Sequence, residues 1–284
     1  MKIFFENFEI TQKRKIVIIS LIFYSGMLFY YLIAYHLPFD KYIGFFLLLN
    51  LFLFTVKLKN FLKPIFAIIY VGAIYSAMHD ISGKGVIYYQ YVIKIEKFLF
   101  GTILPHFFQK SIGSQKTTLL DIVCITVYLF HFVFPIITGL FFWLKDKKYF
   151  GQFLTDLIIL SFIGFGIYLL IPTAPPWVGS QKGFIPMVHK YIFKLAEIFP
   201  SLNLKEIYFK NIGNMYGAMP SIHSAYPTLI YFYLGKYKKR NFIIFLPFLL
   251  FIFFTLIYLG EHYSVDVIAG IFLSSLIFFI RSKS

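Results

Sequence analysis

The stretch GAMPSIHSAYP, residues 217–227, stands where a polar loop gives way to the apolar run TLIYFYLG. From residue 216 to Gly235 there is no charged side chain, and the segment has the length a bilayer demands of a helix, about 17 to 25 residues. Similar apolar segments occupy residues 16–37, 42–56, 64–78, 119–144, 152–172, 241–259 and 261–280. The 284-residue chain is 59% hydrophobic, 22% aromatic and 14% charged, too apolar for a water-soluble globule of this size. The expected fold class is all-α: a polytopic integral membrane helical bundle of 6 to 8 transmembrane helices. The segments 42–56 and 64–78 are short, and read either as two full spans or as a re-entrant hairpin. Either reading preserves the parity of the later crossings.

The formal charge of +15 is distributed in short clusters between the spans. TQKRK (11–15), KLKN (57–60), KDKK (145–148), GKYKKR (235–240) and RSKS (281–284) fall at one face, whereas HLPFDK (36–41) and the Gly260–Glu261 corner at the other hold one lysine. The positive-inside rule then places both termini in the cytoplasm and two longer loops, 79–118 and 173–215, on the periplasmic, external or lumenal side. Basic clusters in this arrangement report topology, and no nucleic-acid partner is expected. The first span, preceded by Lys13, Arg14 and Lys15, lacks a small-residue cleavage site and reads as an uncleaved signal anchor. Cys124 is the only cysteine and lies in an apolar run, which excludes an intramolecular disulfide and a cysteine-based metal site.

A second polar group opens the last span in YLGEHYSVDVIAG (258–270). His262 and Asp266 are four residues apart and share a helical face, so the carboxylate can fix one imidazole nitrogen while the other remains available. Read alone, His262 is an interfacial histidine with Asp266 as a cap, and Ser221 is an N-cap beside an incidental His223. The topology, however, places both groups at one membrane depth. Two histidines, a carboxylate and a serine near two helix N-termini suit an anion such as phosphate.

Together these residues resemble the type 2 phosphatidic acid phosphatase superfamily, whose members carry Pro-Ser-x-His and a later His-x-x-x-Asp. The segments FLFGTILPHFFQ (98–109), YLFHFVFPIITGLFFW (128–143), IPTAPPW (171–177), MYGAMPSIHSAYP (215–227) and YLGEHYSVDVIAG are similar to those of its inositol phosphorylceramide synthase, or aureobasidin-resistance, branch. The resemblance implies N-terminal transmembrane segments over residues 1–94 and a catalytic membrane core over 95–284, in one compact domain. It implies His262 as nucleophile, Asp266 as its orienting partner and His223 as general acid and then base. Ser221 and nearby backbone N–H groups would cradle the phosphate, with Pro220 opening the helix. Tyr263, beside the nucleophile, and Trp177, an interfacial aromatic or substrate floor, complete the expected substrate-binding set. No metal and no cofactor are implied, because a phosphohistidine divides one hard displacement into two easier ones.

The sequence departs from the phosphatase pattern in its arginines. Only Arg14, Arg240 and Arg281 are present, all at the expected cytoplasmic face, and the position six residues before His262 is Leu256. A phosphomonoester near the dianion benefits from a bidentate guanidinium, whereas a singly charged phosphodiester needs less compensation. The site therefore suits a phosphodiester lipid donor and a hydroxylated lipid acceptor. Lys182, Lys190 or Lys210 could supply cationic help, but such lysines usually read as solvated loop residues, and His131 reads as a buried histidine bonded to a nearby carbonyl. The expected activity is transfer of a phospho-head group. The alternatives are hydrolysis of phosphatidate or an isoprenoid pyrophosphate and, in a different class, transport.

Overall fold

A computed structural model describes residues 88–131, 133–199 and 216–282. The expected spans between residues 16 and 78 lie outside the described residues, as does Lys210. The described part is helical: α1 (Gln90–Phe100), α2 (Leu104–Ile112), α3 (Leu119–Phe130), α4 (Phe134–Lys145), α5 (Lys147–Leu170), α6 (Pro176–Gln181), a 3-10 turn (Tyr191–Lys194) leading into α7 (Leu195–Ile198), α8 (Ile222–Tyr237), α9 (Arg240–Tyr258) and α10 (Ser264–Ser282).

Helix boundaries follow local chemistry. Thr118 and Asp121 form a capping box at the start of α3, and Asp146 accepts from the Lys148 and Tyr149 N–H groups at the start of α5. The expected single span at 119–144 is instead two helices bent by 51°. Pro135 at the start of α4 has no N–H to continue the ladder, which is reason enough for a break there. Helices α5, α9 and α10 are each long and apolar enough to cross a membrane, and α3 with α4 makes a fourth candidate. The segment 216–235 differs from its expectation, because its helix begins only at Ile222 and the residues before it form a non-helical turn that pairs at Gly217 with Thr173. The loop 79–118 differs too, since it contains α1 and α2.

Helix α8 is the axis of the bundle, packed against α4, α5, α9 and α10. One core cluster joins Phe142, Phe153, Leu160, Leu229, Tyr233 and Phe278 across α4, α5, α8 and α10. Another joins Cys124, Ile125, Tyr128, Ile252, Leu256 and Val267 across α3, α9 and α10. Outward, α9 and α10 expose Ile243, Ile244, Leu250, Phe272 and Phe279, so their surfaces are as apolar as their contacts. That is the signature of helices solvated by lipid, and it marks a membrane protein.

Two glycines set how closely the chain approaches itself at the site end. A Cβ on Gly270 would lie 2.2 Å from the Ser221 carbonyl oxygen and 2.3 Å from Ser224 Oγ, so α10 meets the start of α8 almost backbone to backbone. Gly260, between α9 and α10, has a φ of 78°, where a side chain is strained, and a Cβ there would lie 2.5 Å from the His189 carbonyl.

Candidate active site

The two polar motifs meet at one end of the bundle because their backbones are tied together. Ser221 N–H donates to the Asp266 carbonyl at 2.9 Å, and Ser224 Oγ lies 2.9 Å from the Ser221 carbonyl and 3.0 Å from that of Val267. The loop before α8 is held from its other side by Thr173. Thr173 N–H donates to Tyr216, Ala218 N–H donates to Thr173, and the Met219 N–H donates to Thr173 Oγ1 at 2.8 Å. A short parallel bridge thus joins the segments that read IPTAPPW and GAMPS in the sequence. Tyr168 on α5 adds a third tie, donating to the Pro220 carbonyl at 2.7 Å.

Within that frame, His223 Nδ1 lies 2.9 Å from His262 Nε2. His262 Nδ1 faces Asp266 Oδ2 at 3.7 Å, beyond ordinary hydrogen-bond length, and this carboxylate oxygen also accepts from the Tyr263 N–H at 2.9 Å. Asp266 is fully buried and His262 nearly so, at 3% exposure, so the pair interacts without competition from bulk water. On the far side of His223, the Tyr128 hydroxyl lies 3.4 Å from Nε2, with the two rings stacked 5.1 Å apart. His131 Nδ1 donates to the Tyr128 carbonyl, matching its expected role, and its ring also packs edge-on against His223 at 4.2 Å.

The remaining expected residues lie at the same end of the bundle. Ser221 caps α8, its Oγ accepting from the Ser224 N–H at 3.3 Å. Pro220 stands before that cap and is not the first helical residue, because the helix begins at Ile222. Tyr263, 1% exposed, packs with Val92, Ile93, Ile185 and Val188 under α1. Trp177 is not an interfacial anchor: it is 3% exposed, packed with Ala174 and Val178. Lys190 Nζ stands over its ring, 4.7 Å from the centroid.

Lys190 is the largest departure from the sequence reading. It is buried, and its ammonium pairs with Glu261 Oε2 at 2.7 Å, directly beside the residue that precedes His262. Burial pushes the Lys190 ammonium below its ordinary range, and the Glu261 carboxylate pulls it part of the way back. Glu261 held the signal for this, since a carboxylate at an apolar corner needs a cation. Its partner lies 71 residues away in sequence, which no local pattern reveals.

A second buried carboxylate supports the site from outside. Glu96 on α1 accepts from Val265 N–H at the start of α10 (3.1 Å) and from Leu104 N–H at the start of α2 (3.3 Å). It therefore satisfies donors that the first turns of two helices leave unpaired. Around it, α1 turns Val92 and Ile93 inward and Tyr91, Phe98 and Leu99 outward, as an interfacial helix does.

Neither described arginine reaches this end. Arg281 pairs with Asp156, which also accepts from Tyr233, at the opposite end of α10, about 25 Å away at 1.5 Å per residue. Arg240 opens α9, whose C-terminus is the end that leads to His262. Leu256, at the position where phosphatases carry arginine, is 1% exposed in the apolar core. Its carbonyl accepts from both Glu261 and His262 N–H groups at 3.2 Å, ending α9. Among the described residues no three His, Cys, Asp or Glu side chains are grouped to hold a metal ion.

The chain that folds into this helical membrane core belongs to the PAP2 superfamily, whose family model matches residues 90–280. Among curated relatives, the chain is 31% identical over 159 residues to the phosphoinositol dihydroceramide synthase of Bacteroides thetaiotaomicron, covering 53% of this chain and 52% of that protein. It is 26% identical over 192 residues to the inositol phosphorylceramide synthase of Candida albicans, covering 65% and 40%. To the inositol phosphorylceramide synthase catalytic subunit of Saccharomyces cerevisiae it is 28% identical over 193 residues, covering 65% and 47%. The matches thus span about half the length of these relatives. No solved structure matches the chain significantly.

Proposed function

We propose that this protein is a membrane lipid phosphotransferase, moving a phospho-head group from a phosphodiester glycerolipid to a lipid hydroxyl through a phosphohistidine. The observation that carries this reading is the 2.9 Å approach of His223 Nδ1 to His262 Nε2, with Asp266 behind the other nitrogen of His262. A carboxylate facing Nδ1 favours the proton there and leaves a lone pair on Nε2, the nitrogen a nucleophile needs. His223 then presents a proton on Nδ1, and Tyr128 lies at its other nitrogen.

In the first step His262 Nε2 bonds to phosphorus and the bond to the diacylglycerol oxygen breaks. Protonated His223 delivers its Nδ1 proton to that oxygen, so neutral diacylglycerol departs. Asp266 offsets the positive charge that develops on His262. In the second step His223, now neutral, takes the proton of the acceptor hydroxyl as its oxygen bonds to phosphorus and the N–P bond breaks. Both histidines return to their starting states. The lack of an arginine near the site among the described residues favours a singly charged phosphodiester. The relatives' names point to inositol phosphate as head group and a ceramide as acceptor. By the positive-inside pattern, both termini are cytoplasmic and the reaction occurs at the outer membrane surface.

The test is to supply purified protein with phosphatidylinositol and ceramide, and separately with phosphatidate. Inositol phosphorylceramide and diacylglycerol in equal amounts support transfer. Rapid phosphate release from phosphatidate with inert phosphatidylinositol replaces this reading with a phosphatase. Acid-labile labelling at His262 by a phosphorus-labelled donor separates either enzyme from a transporter.

A further inference from the structure

His131 is a third histidine beside the pair His223 and His262, and the proposed mechanism gives it no task. Its place follows from the break between α3 and α4. Pro135 has no N–H, and a proline ring crowds the carbonyl four residues back, here that of His131, so α3 cannot run on. The last carbonyls of a helix lack partners within it. At the end of α3 the Tyr128 carbonyl accepts from the His131 N–H at 3.4 Å and also from Nδ1 of the His131 ring. Because a carbonyl only accepts, Nδ1 carries the hydrogen. The bond draws the ring back towards Tyr128, with 5.4 Å between the two ring centroids.

This position puts His131 against His223. From the α10 side, His262 Nε2 lies 2.9 Å from His223 Nδ1. From α3, Tyr128 stacks on the same imidazole at 5.1 Å and 25°, and His131 meets it at 4.2 Å and 62°. The closer ring is that of His131, nearer than the roughly 4.5 to 7 Å usual for paired aromatic rings. Both α3 rings are themselves buried, His131 at 5% exposure and Tyr128 at 6%. The torsion that turns an imidazole about its Cβ–Cγ bond is broad, and a half-turn exchanges Nδ1 for a carbon. At rest the bond to His262 opposes that half-turn. The proposed chemistry removes the bond, because phosphorus has to enter between two nitrogens 2.9 Å apart. When His223 delivers its proton, its orientation then depends on the rings from α3.

Resting on the transfer reading, we propose that His131 is a positioning residue for the general acid: anchored on the Tyr128 carbonyl, it wedges the His223 ring and keeps Nδ1 turned to the phosphoryl group after the contact with His262 is broken. It handles no proton in this assignment. The break after α3 is then part of the site, since a helix continued past His131 would engage the Tyr128 carbonyl in its own ladder and release the wedge.

The experiment uses the full chain in detergent micelles, with phosphatidylinositol and a fluorescent ceramide, and separately with a nitrophenyl phosphodiester as donor. His131→Asn removes the ring and keeps a donor for the Tyr128 carbonyl, whereas His131→Phe keeps a ring and loses that donor. Misplacing the acid predicts a kcat on phosphatidylinositol lowered about 10- to 100-fold in His131→Asn, with KM little changed. The nitrophenolate burst, which needs no acid, falls by less than about threefold in the same variant. His131→Phe recovers kcat on phosphatidylinositol to within about fivefold of wild type, the usual worth of one lost hydrogen bond. Wild-type kcat in His131→Asn overturns the assignment, as do equal losses on the two donors, which a merely structural role would give. A loss in His131→Phe as deep as in His131→Asn overturns it too, since a nitrogen rather than a ring is then required. A His131→Asn protein that fails to fold is recognised by its lowered melting temperature, and His131→Phe then decides. If the wild type hydrolyses phosphatidate and leaves phosphatidylinositol untouched, the transfer reading falls, and the same variants on phosphatidate and nitrophenyl phosphate decide the wedge by the same contrast. If neither lipid turns over, there is no acid to position and both readings fall.

Discussion

His223 and His262 face each other at 2.9 Å, nitrogen to nitrogen, with no space for phosphorus between them. In the proposed mechanism, substrate binding replaces an imidazole–imidazole hydrogen bond with two contacts to one phosphoryl group. The two rings have different tasks in that exchange, and substitutions separate them. His262→Ala removes the proposed nucleophile and is expected to abolish both turnover and covalent labelling from a phosphorus-labelled lipid. His223→Asn lowers kcat on a natural lipid by about 10²- to 10⁴-fold, the usual worth of a general acid. With a nitrophenyl phosphodiester, whose leaving group needs no proton, the first-step loss shrinks to within about tenfold, read by the nitrophenolate burst. Equal losses on both substrates would remove His223 from the acid role.

Asp266 stands 3.7 Å from His262 Nδ1 and is expected to close on it as charge develops. Asp266→Asn presents an amide that no longer fixes the tautomer, and kcat falls about 10²- to 10⁴-fold with KM little changed. Because Asp266 also accepts from Tyr263 N–H, asparagine keeps that cap through its carbonyl oxygen. The melting temperature should then change little, which separates the electrostatic role from the structural one.

Tyr128 reaches His223 from α3 at 3.4 Å, a long contact. Tyr128→Phe keeps the ring stack and removes only the hydroxyl, so the expected loss is about 1 kcal/mol, or about fivefold in kcat. A full wild-type pH–rate profile in this variant would argue that the hydroxyl does not act on the imidazole.

The sequence located the three ionisable residues of this cluster and the apolar runs that carry them, because four-residue spacing and hydropathy are local properties. His223, His262 and Asp266 could be assigned to one membrane depth by counting crossings. What escaped were relationships set by tertiary packing. Tyr128 sits in an apolar run and differs in no local way from the other 21 tyrosines. Lys190 looked like a loop lysine because its carboxylate lies far along the chain. The burial of Trp177 and Tyr263 in packing clusters is likewise not legible, since aromatic identity alone does not tell an interface from a core. Apolar character alone assigns 216–221 to the helix, yet Thr173 holds this stretch outside it through a bridge to Gly217.

Gly270 offers a test of the packing that joins the histidines. Gly270→Ala places a methyl group 2.2 Å from a backbone oxygen that cannot rotate away, so α8 and α10 must separate. The expected cost is about 3 kcal/mol, read as a lowered detergent melting temperature. Activity should fall further than stability accounts for, because the displaced element carries His223. Wild-type melting and activity would show that the close approach is not required.

Glu96 gives the site a pH dependence of stability. Burial raises its carboxyl above the ordinary value of 4.5, although its backbone donors pull it back. The folded chain therefore holds this proton more tightly than the unfolded chain. Below 4.5 both states are protonated and the shift contributes nothing; as pH rises through the interval up to the raised native value, stability is lost. Melting curves across that interval should fall in the wild type relative to Glu96→Gln. Parallel curves would show that the carboxylate is fully compensated by its hydrogen-bond donors.

The backbone bond from Ser221 to the Asp266 carbonyl has a consequence for how such an enzyme diversifies. The distance between the two histidines is written in main-chain atoms and one absent methyl group, all of which survive most side-chain replacements. Side chains around the histidine pair can therefore change while its spacing is kept.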